Sequence, residues 1–553
     1  MKFAAHIRSA LANEPILYAL LALAFLLRIV GVGYGLPLAV VNDEYPFTYA
    51  ALQMLQLHTL IPALHPDSFA SILPYPPYLS YVLLVPFAII VGVKLLFWHG
   101  ASALFSAYLI SDLSAFFITA RLVSVFLGVF SVYLAYRISE RLFHSRIAAG
   151  AASFLLATSI LHEALSMVGR NWMPTSVIFL LILFVLTREA WSLRRRYTVG
   201  LVIAGIGMGI TSIAVLSVAM MGLYYLCFDA RDARSTLIDA YRMVPGALMF
   251  SALAAVPFLL WHSGGTVFLG AVTLFEGKTL VGLLASPWAA LKLVMYSEPV
   301  LITLFLGGLL FLFERYRRMS IFIGGWCLLY VSVFYVFFRF DSRFLLPLIP
   351  LAALAGGYCI ARLWSRRFTA ILCILLCIPL VAAVRLSYLA AVGDTRAHAR
   401  EWALEHLKPS DRVLVFSSAM HVPTQRSAVA ELRGVDSSAL RKIDGADEVL
   451  DRHDVPYALN NLTSLVGNPF MSGLPAYARE RGYEYLVLEP RSLTGTTTIE
   501  SFESLTRNAT VLARFEGFGT TMSMWESSFI EPLTELFADK MLGPDILIYK
   551  LHE

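Results

Sequence analysis

Long apolar segments separated by short clusters of arginine make up the first two thirds of the sequence. The first apolar segment, residues 15–36, exceeds the about 20 residues that a helix needs to cross a bilayer. Further apolar segments occupy residues 118–138, 147–164, 174–190, 243–262, 298–313, 320–338, 344–363 and 368–388. Residues 198–228 are long enough for two short helices with a break near Thr211-Ser212. The pattern predicts a polytopic α-helical membrane protein with about eleven crossings.

The arginine clusters between these segments predict the orientation. Lys2 and Arg8 precede the first segment, so the positive-inside rule places the N-terminus in the cytoplasm. Arg194-Arg195-Arg196 and the other clusters are then cytoplasmic, and residues 263–297 form an external loop. Eleven crossings from a cytoplasmic N-terminus end on the opposite side, so the C-terminal part is expected outside the membrane.

Residues 76–97 leave two alternatives for the first external loop, which we place at residues 37–117. By length this apolar stretch could cross the bilayer, but the basic loops downstream require an odd number of crossings between residue 43 and residue 137. Residues 76–97 either lie in the membrane interface or enter the bilayer and return through 99–117. The interfacial placement is the favoured interpretation.

The composition changes to that of a soluble domain at Gly393. An amphipathic helix is predicted for residues 395–407, and strands for 413–416, 485–488 and 546–549. We therefore predict a transmembrane domain over residues 1–392 and an extracytoplasmic α/β domain over residues 393–553.

Composition indicates a membrane protein and gives no sign of nucleic-acid binding or of a disulfide-bonded domain. Of 553 residues, 58% are hydrophobic and only 15% are charged, which is typical of a polytopic membrane protein. The net charge of +5 comes largely from the arginine clusters and gives no indication of nucleic-acid binding. The five cysteines all lie in apolar stretches, so the C-terminal domain shows no sign of disulfides.

Asp43 and Glu44 are adjacent acids just after the first apolar segment. Charged groups beside a membrane core are costly and tend to persist where they have a partner or a task. In a transfer reaction such a carboxylate takes the proton of the acceptor or holds a divalent ion. The alternative is a solvated interfacial pair that only ends a helix.

Three arginines are predicted on the external side. Arg339 and Arg343 break the positive-inside pattern at a helix junction, and Arg170 lies in the external turn 162–175. Arginine grips phosphate through two parallel bonds, so these residues suit a lipid-linked phosphate. The alternative for the junction is a salt bridge with Asp341 plus contacts with lipid headgroups.

Other candidates are weaker. His162 and Glu163 could bind a metal, although adjacent helical residues diverge by about 100°. The equal alternative is a turn whose polar groups bond within the protein. Lys278 lies in the loop 263–297, which could cover a substrate. No P-loop, dinucleotide-binding or HExxH motif is present, so the energy for any transfer would have to be carried by the donor itself.

Several short stretches resemble a known family in their order and topology. The chain looks like a GT-C-type glycosyltransferase of the protein O-mannosyltransferase and aminoarabinose transferase kind (glycosyltransferase family 39 and relatives). The similar stretches are Asp43-Glu44, Tyr75-Pro76-Pro77-Tyr78, residues 120–125, residues 136–146, Arg343-Phe344-Leu345-Leu346-Pro347-Leu348-Ile349-Pro350 and residues 395–407. Together they cover most of residues 15–407.

The resemblance implies an inverting transferase of the cell membrane. Asp43 would then be the catalytic base or orient the acceptor, and positive groups would hold the phosphate of a polyprenyl-phosphate-linked sugar, with Tyr75 and Tyr78 also at the substrate. The acceptor would be a glycan, a lipid or a protein, with no cofactor beyond a possible divalent metal. Two positions depart from the family: Thr175 stands where an acid is common, and residues 209–214 lack a basic residue.

Two other classes remain open on the sequence. A transporter or flippase also needs many helices, but it often carries charged residues near the bilayer midplane. Most ionisable residues here lie at predicted helix ends. A non-catalytic scaffold of a glycan assembly complex is the third alternative.

Overall fold

A computed structural model describes most of the chain. The described residues are 14–38, 40–41, 44–69, 75–100, 105, 108–109, 112–261, 279–337, 342–365, 367–408, 411–417, 458–461, 470–493, 495–517 and 533–552. The candidate site residues Asp43, Lys278 and Arg339 lie outside these ranges, as do Lys2, Arg8 and Asp341.

Helices account for nearly all of the structure up to Val392. Their bounds are Pro15–Ile29, Tyr45–Gln56, Pro66–Phe69, Tyr78–Leu96, Ser114–Phe143, Arg146–Ala157, Ile160–Ser166, Trp172–Leu186, Leu193–Met208, Leu216–Tyr224, Ala233–Leu260, Leu280–Ser297, Pro299–Arg315, Arg317–Phe337, Ile349–Leu363 and Thr369–Val392. Within the described residues, eight helical stretches are long and apolar enough to cross a membrane, or nine if Arg146–Ala157 and Ile160–Ser166 form one bent span. Their length and composition identify an integral membrane protein, while the number of eleven crossings stays a prediction.

The predicted break near Thr211-Ser212 is confirmed. One helix ends at Met208, and Thr211 caps a short 3₁₀ turn by accepting a hydrogen bond from the Ile213 N–H at 3.3 Å. The Tyr78 N–H donates to the Gly209 carbonyl at 2.9 Å. A Cβ at position 209 would lie 2.1 Å from Cδ2 of the Tyr78 ring, so the break admits this tyrosine only because residue 209 is glycine.

The predicted external loop 263–297 is wrong in its second half. Residues Leu280–Ser297 form a helix, which Thr279 caps by accepting a hydrogen bond from the Gly282 N–H at 3.0 Å. Pro287 lies inside this helix, and together with Ser286 and Lys292 it lowered the apolar signal that the sequence pattern requires. Residues Tyr78–Leu96 also form a helix, long and apolar enough to cross a membrane.

The centre of the membrane part is the helix Ile349–Leu363, which is buried along nearly its whole length. It packs against its neighbours through small residues, as closely approaching membrane helices do. A Cβ at Gly308 would lie 2.1 Å from the Ala355 carbonyl oxygen, and one at Gly357 would lie 2.6 Å from the Ala148 carbonyl oxygen.

The C-terminal region contains a five-stranded mixed sheet. Its strands are β1 Arg412–Phe416, β2 Ala458–Asn461, β3 Tyr485–Leu488, β4 Thr510–Phe515 and β5 Ile546–Lys550, in the order β2-β1-β3-β5-β4. β1 is parallel to β2 and β3, while β5 is antiparallel to β3 and β4. Helices Thr395–His406, Phe470–Glu480, Thr496–Thr506 and Leu533–Ala538 accompany the sheet.

This region is fastened to the membrane helices by buried polar contacts. The Tyr34 hydroxyl donates to Oδ2 of Asp394 at 2.5 Å, and Asp394 also accepts two side-chain bonds from Arg396 at 2.8 Å. Burial opposes the charge of Arg396, but Asp394 beside it raises the pKa of this guanidinium above its ordinary value. Leu536 and Leu542 complete an apolar cluster with Tyr34. The sheet region therefore sits on the side of the membrane helices where the first loop begins.

Candidate functional site

Glu44 and Arg121 form a buried ion pair. Arg121 lies on the helix Ser114–Phe143, and both side chains are 1% exposed. The guanidinium donates Nε–H to Oε1 of Glu44 and Nη2–H to Oε2, each at 2.8 Å, which is the two-bond geometry that arginine forms with a carboxylate. The Gly169 N–H also donates to Oε1 at 2.7 Å. The carboxylate is thus bonded on both oxygens.

The remaining bonds of Arg121 hold the turn that follows the first helix. Its Nη1 donates to the Val32 carbonyl at 2.9 Å and to the Tyr34 carbonyl at 2.7 Å. One guanidinium therefore joins Glu44 to the chain that follows the first helix. Arg121 lies in the family-like stretch 120–125, and the sequence analysis assigns it no role. An arginine inside an apolar helix is nevertheless a signal of a buried partner or a functional role.

This geometry favours an anchoring role for Glu44 over the predicted role as a second catalytic carboxylate or metal ligand. Both oxygens are occupied by a fully buried cation, and removing either partner would leave an uncompensated charge. Glu44 instead anchors the chain at the position directly after Asp43.

Arg170 and Arg343 come together at Trp172. The Arg170 guanidinium carbon lies 5.8 Å from the centre of the Trp172 ring, and that of Arg343 lies 5.6 Å from the same ring. Both distances are within the range of cation–π attraction. Two arginines that the sequence places far apart thus share one aromatic side chain.

A stack of aromatic residues supports this arginine pair. Trp172 meets Phe344 edge-to-face at 5.0 Å between ring centres, and Phe344 lies 4.9 Å from Phe334. The Tyr330 hydroxyl donates to the Phe344 carbonyl at 2.9 Å, which fixes the 3₁₀ segment Ser342–Leu348 that carries Arg343.

Two buried polar atoms next to the arginine pair have no hydrogen-bond partner among the described residues. They are Oδ1 of Asn171 and the indole nitrogen Nε1 of Trp172. Both side chains are nearly inaccessible, at 4% and 6% exposure. A buried polar group left unpaired costs about 1–3 kcal/mol, and such groups in native structures call for an explanation.

The ion pair and the arginine pair are adjacent along the chain. Gly169, which bonds to Glu44, directly precedes Arg170. The turn between helices Ile160–Ser166 and Trp172–Leu186 therefore connects the anchor of the first loop to the two arginines.

Tyr75 and Tyr78 make packing contacts in the described structure. Tyr75 stacks on Phe47 at 5.1 Å between ring centres, and Tyr78 packs over Gly209 at the helix break. These contacts position helices around the first loop. The substrate-binding role of the two tyrosines stays a prediction.

His162 and Glu163 lie in a buried polar network. His162 Nδ1 is 2.7 Å from Nη2 of Arg28, and its Nε2 is 2.7 Å from the Ser131 hydroxyl. Glu163 accepts a bond from Ser387 at 2.7 Å. A metal ion would have to displace these partners beside a buried cation, and the described residues contain no group of three or more His, Cys, Asp or Glu that could hold one.

The chain is similar in structure to membrane glycosyltransferases. It matches ArnT from Cupriavidus metallidurans in the apo state at 12% identity and a TM-score of 0.48, covering 97% of this chain and 98% of that one. It matches the oligosaccharyltransferase AglB from Archaeoglobus fulgidus, in complex with an inhibitory peptide and a dolichol-phosphate, at 11% identity and a TM-score of 0.45, over 87% and 69% of the two chains.

A third similar structure is the arabinofuranosyltransferase AftD from Mycobacteria, at 15% identity and a TM-score of 0.40, over 97% of this chain and 41% of that one. No protein-family model and no curated protein matches this sequence. These likenesses transfer no residue role, and the roles proposed below rest on contacts within this chain.

Proposed function

We propose that this protein is an inverting glycosyltransferase that uses a polyprenyl-phosphate-linked monosaccharide as donor. The observation that supports this proposal most directly is the meeting of Arg170 and Arg343 at Trp172. Two guanidinium groups that share one aromatic side chain would form the phosphate site, and Asp43, which precedes the anchored Glu44 in the sequence, would be the base.

The arginine pair would hold the donor phosphate. Each guanidinium can give two parallel N–H bonds to phosphate oxygens, and the Trp172 indole N–H is a further donor without a partner among the described residues. The aromatic stack restricts the movement of Arg343, which lowers the entropy that binding costs. Arg170 is only 4% exposed, so its charge acts in surroundings of low dielectric constant.

The reaction itself needs one proton acceptor. The acceptor hydroxyl or amine would attack the anomeric carbon of the sugar, and Asp43 would take its proton. The bond between that carbon and the phosphate oxygen would break, and the polyprenyl phosphate would leave with the electron pair. Arg170 and Arg343 would stabilise the negative charge that develops on the leaving phosphate.

Glu44 has a positioning role in this scheme. Its bonds to Arg121 and Gly169 fix the residue that follows Asp43 to two separate parts of the fold. A base acts efficiently only when it is held within hydrogen-bond reach of the proton it removes. No step of the proposal uses a metal ion, because Glu44, His162 and Glu163 are already bonded to protein groups.

We also propose that the site faces outward. The positive-inside pattern puts the first loop and the region 393–553 on the external side and the N-terminus in the cytoplasm. Contacts such as that between Tyr34 and Asp394 place the sheet region on the same side as this loop, where it could bind a glycan, lipid or protein acceptor.

The test is transfer of a labelled sugar by purified protein from a panel of polyprenyl-phosphate donors. Asp43→Asn keeps the shape of the side chain and removes its basicity, and loss of a general base typically lowers the rate ~10²–10⁴-fold. Asp67→Asn is the control, because Asp67 is an exposed acid in the same loop. Near-normal turnover by Asp43→Asn would contradict the catalytic role and favour a transporter or a scaffold.

A further inference from the structure

A large basic cavity lies at the end of the helices opposite the candidate site. It has a volume of about 930 Å³ and lies between the segments 140–144, 187–191 and 315–319, with Tyr224 and Phe228. Arg121 and Arg141 lie on the same helix, and 20 residues at about 1.5 Å each separate them by about 30 Å. That is roughly the thickness of the hydrocarbon core.

Positive charge dominates the lining of this cavity. Five arginines line it, together with two glutamates; the arginines are Arg141, Arg188, Arg315, Arg317 and Arg318. One of these acids, Glu140, is already paired with Arg137 at 3.0 Å, outside the lining. The lining therefore has more positive than negative charge, so it attracts an anion.

Two of the five arginines, Arg141 and Arg188, are held in place by aromatic side chains. The Arg141 guanidinium lies 4.0 Å from the centre of the Phe184 ring and donates to the Phe184 carbonyl at 3.2 Å. Arg188 lies 4.9 Å from the Phe184 ring and 4.7 Å from the Trp191 ring. Arginines from three separate segments of the chain thus line one cavity.

We propose that this cavity binds a phosphate group, and that the headgroup of an anionic membrane lipid supplies it. Guanidinium groups match phosphate oxygens through paired bonds. Trp191, Tyr224 and Tyr316 give the lining the amphipathic aromatic groups that favour a membrane interface. Basic pockets between membrane helices on the cytoplasmic side bind lipid headgroups in this way. The proposal is independent of the transfer reaction.

The experiment measures binding of short-chain phosphatidylglycerol to the full-length protein in detergent. The cavity variant is Arg317→Gln/Arg318→Gln, whose exposed positions leave folding intact. The control is Arg146→Gln/Arg194→Gln, which removes two exposed charges from the same end of the helices but outside the cavity. We expect wild type and control to bind equally and the cavity variant to bind about tenfold more weakly or worse.

Two further arms separate the sources of phosphate and protect against a folding artefact. Phosphatidylcholine should bind much more weakly than phosphatidylglycerol, and Arg188→Gln should weaken binding without a loss of the wild-type elution profile. Equal affinity of the cavity and control variants, or equal affinity for the two lipids, overturns the proposal. Binding of inorganic pyrophosphate with the same dependence on Arg317 and Arg318, without binding of phosphatidylglycerol, overturns the assignment to a lipid.

Discussion

At the scale of single residues, the first acidic stretch contains two carboxylates with different tasks. Glu44 is bonded on both oxygens to Arg121 and Gly169, while the residue before it is the proposed base. Because adjacent side chains point in different directions, the sequence predicts that Glu44→Gln lowers turnover less than Asp43→Asn does. The buried ion pair adds an expected effect on stability.

Glu44→Gln should therefore destabilise the protein. The amide leaves the charge of Arg121 buried without its partner, and breaking a buried pair costs about 3–5 kcal/mol. Glu140→Gln is the matched control, because its partner Arg137 is partly exposed and keeps its bonds to Glu14, so the expected cost is below about 1 kcal/mol. Thermal unfolding of both variants measures the difference. Equal melting temperatures would show that the Glu44 pair contributes little to the fold.

The sequence was informative about which residue types matter, and less so about their partners. Arg170 and Arg343 were proposed from topology, and the structure brings them to one tryptophan. Arg121, Asn171 and Trp172 were not singled out, because pairing and unsatisfied burial depend on contacts between distant segments. The sequence also could not show that His162 bonds to Arg28 and Glu163 to Ser387, so both residues were candidate metal ligands.

At the scale of elements, close helix packing through glycine determines the centre of the membrane part. A Cβ at Gly308 would lie 2.1 Å from a backbone oxygen of the neighbouring helix, so the two helices would have to separate. Gly324 lies inside the helix Arg317–Phe337 with no atom within 4 Å of such a Cβ.

Gly308→Ala and Gly324→Ala form a matched pair. We expect Gly308→Ala to lower the free energy of unfolding by about 1–3 kcal/mol through overpacking. Gly324→Ala should be neutral or stabilise by up to about 1 kcal/mol, because alanine favours the helical state. Thermal unfolding in one detergent compares them. A melting temperature of Gly308→Ala at or above that of Gly324→Ala would contradict the packing described here.

Elements with a strong apolar pattern were predictable, and those at edges were not. The predicted strands correspond to the central β1 and β3 and to β5, whereas β2 and β4 are the edge strands of the sheet. An edge strand with one solvated face carries a weaker apolar signal, as the exposed residues of β4 illustrate. The helix Leu280–Ser297 was missed because a proline and polar residues interrupt its apolar sequence.

At the scale of the whole molecule, two charged sites lie at opposite ends of the helices. The arginine pair and the sheet region share one end, and the basic cavity occupies the other. This arrangement agrees with the two proposals, a transferase site on the external side and a lipid site on the internal side.

Cysteine labelling tests this orientation. In a background with the five native cysteines replaced, Asp67→Cys and Glu503→Cys should react with an impermeant external reagent, and Arg195→Cys should not. All three positions are exposed, so differences in labelling report the side of the membrane. Labelling at 195 with none at 67 and 503 would reverse the proposed topology.

The most direct test of the central proposal is the affinity of the purified protein for polyprenyl phosphate. Arg343→Ala removes a guanidinium from the arginine pair and should weaken binding about tenfold or more, since bonds to charged groups contribute about 1.5–3 kcal/mol. Arg343→Lys should recover only part, because a point charge lacks the planar fork. Arg362→Ala, an exposed change at the far end of the following helix, should bind like wild type. A wild-type dissociation constant for Arg343→Ala would show that the arginine pair does not hold the phosphate.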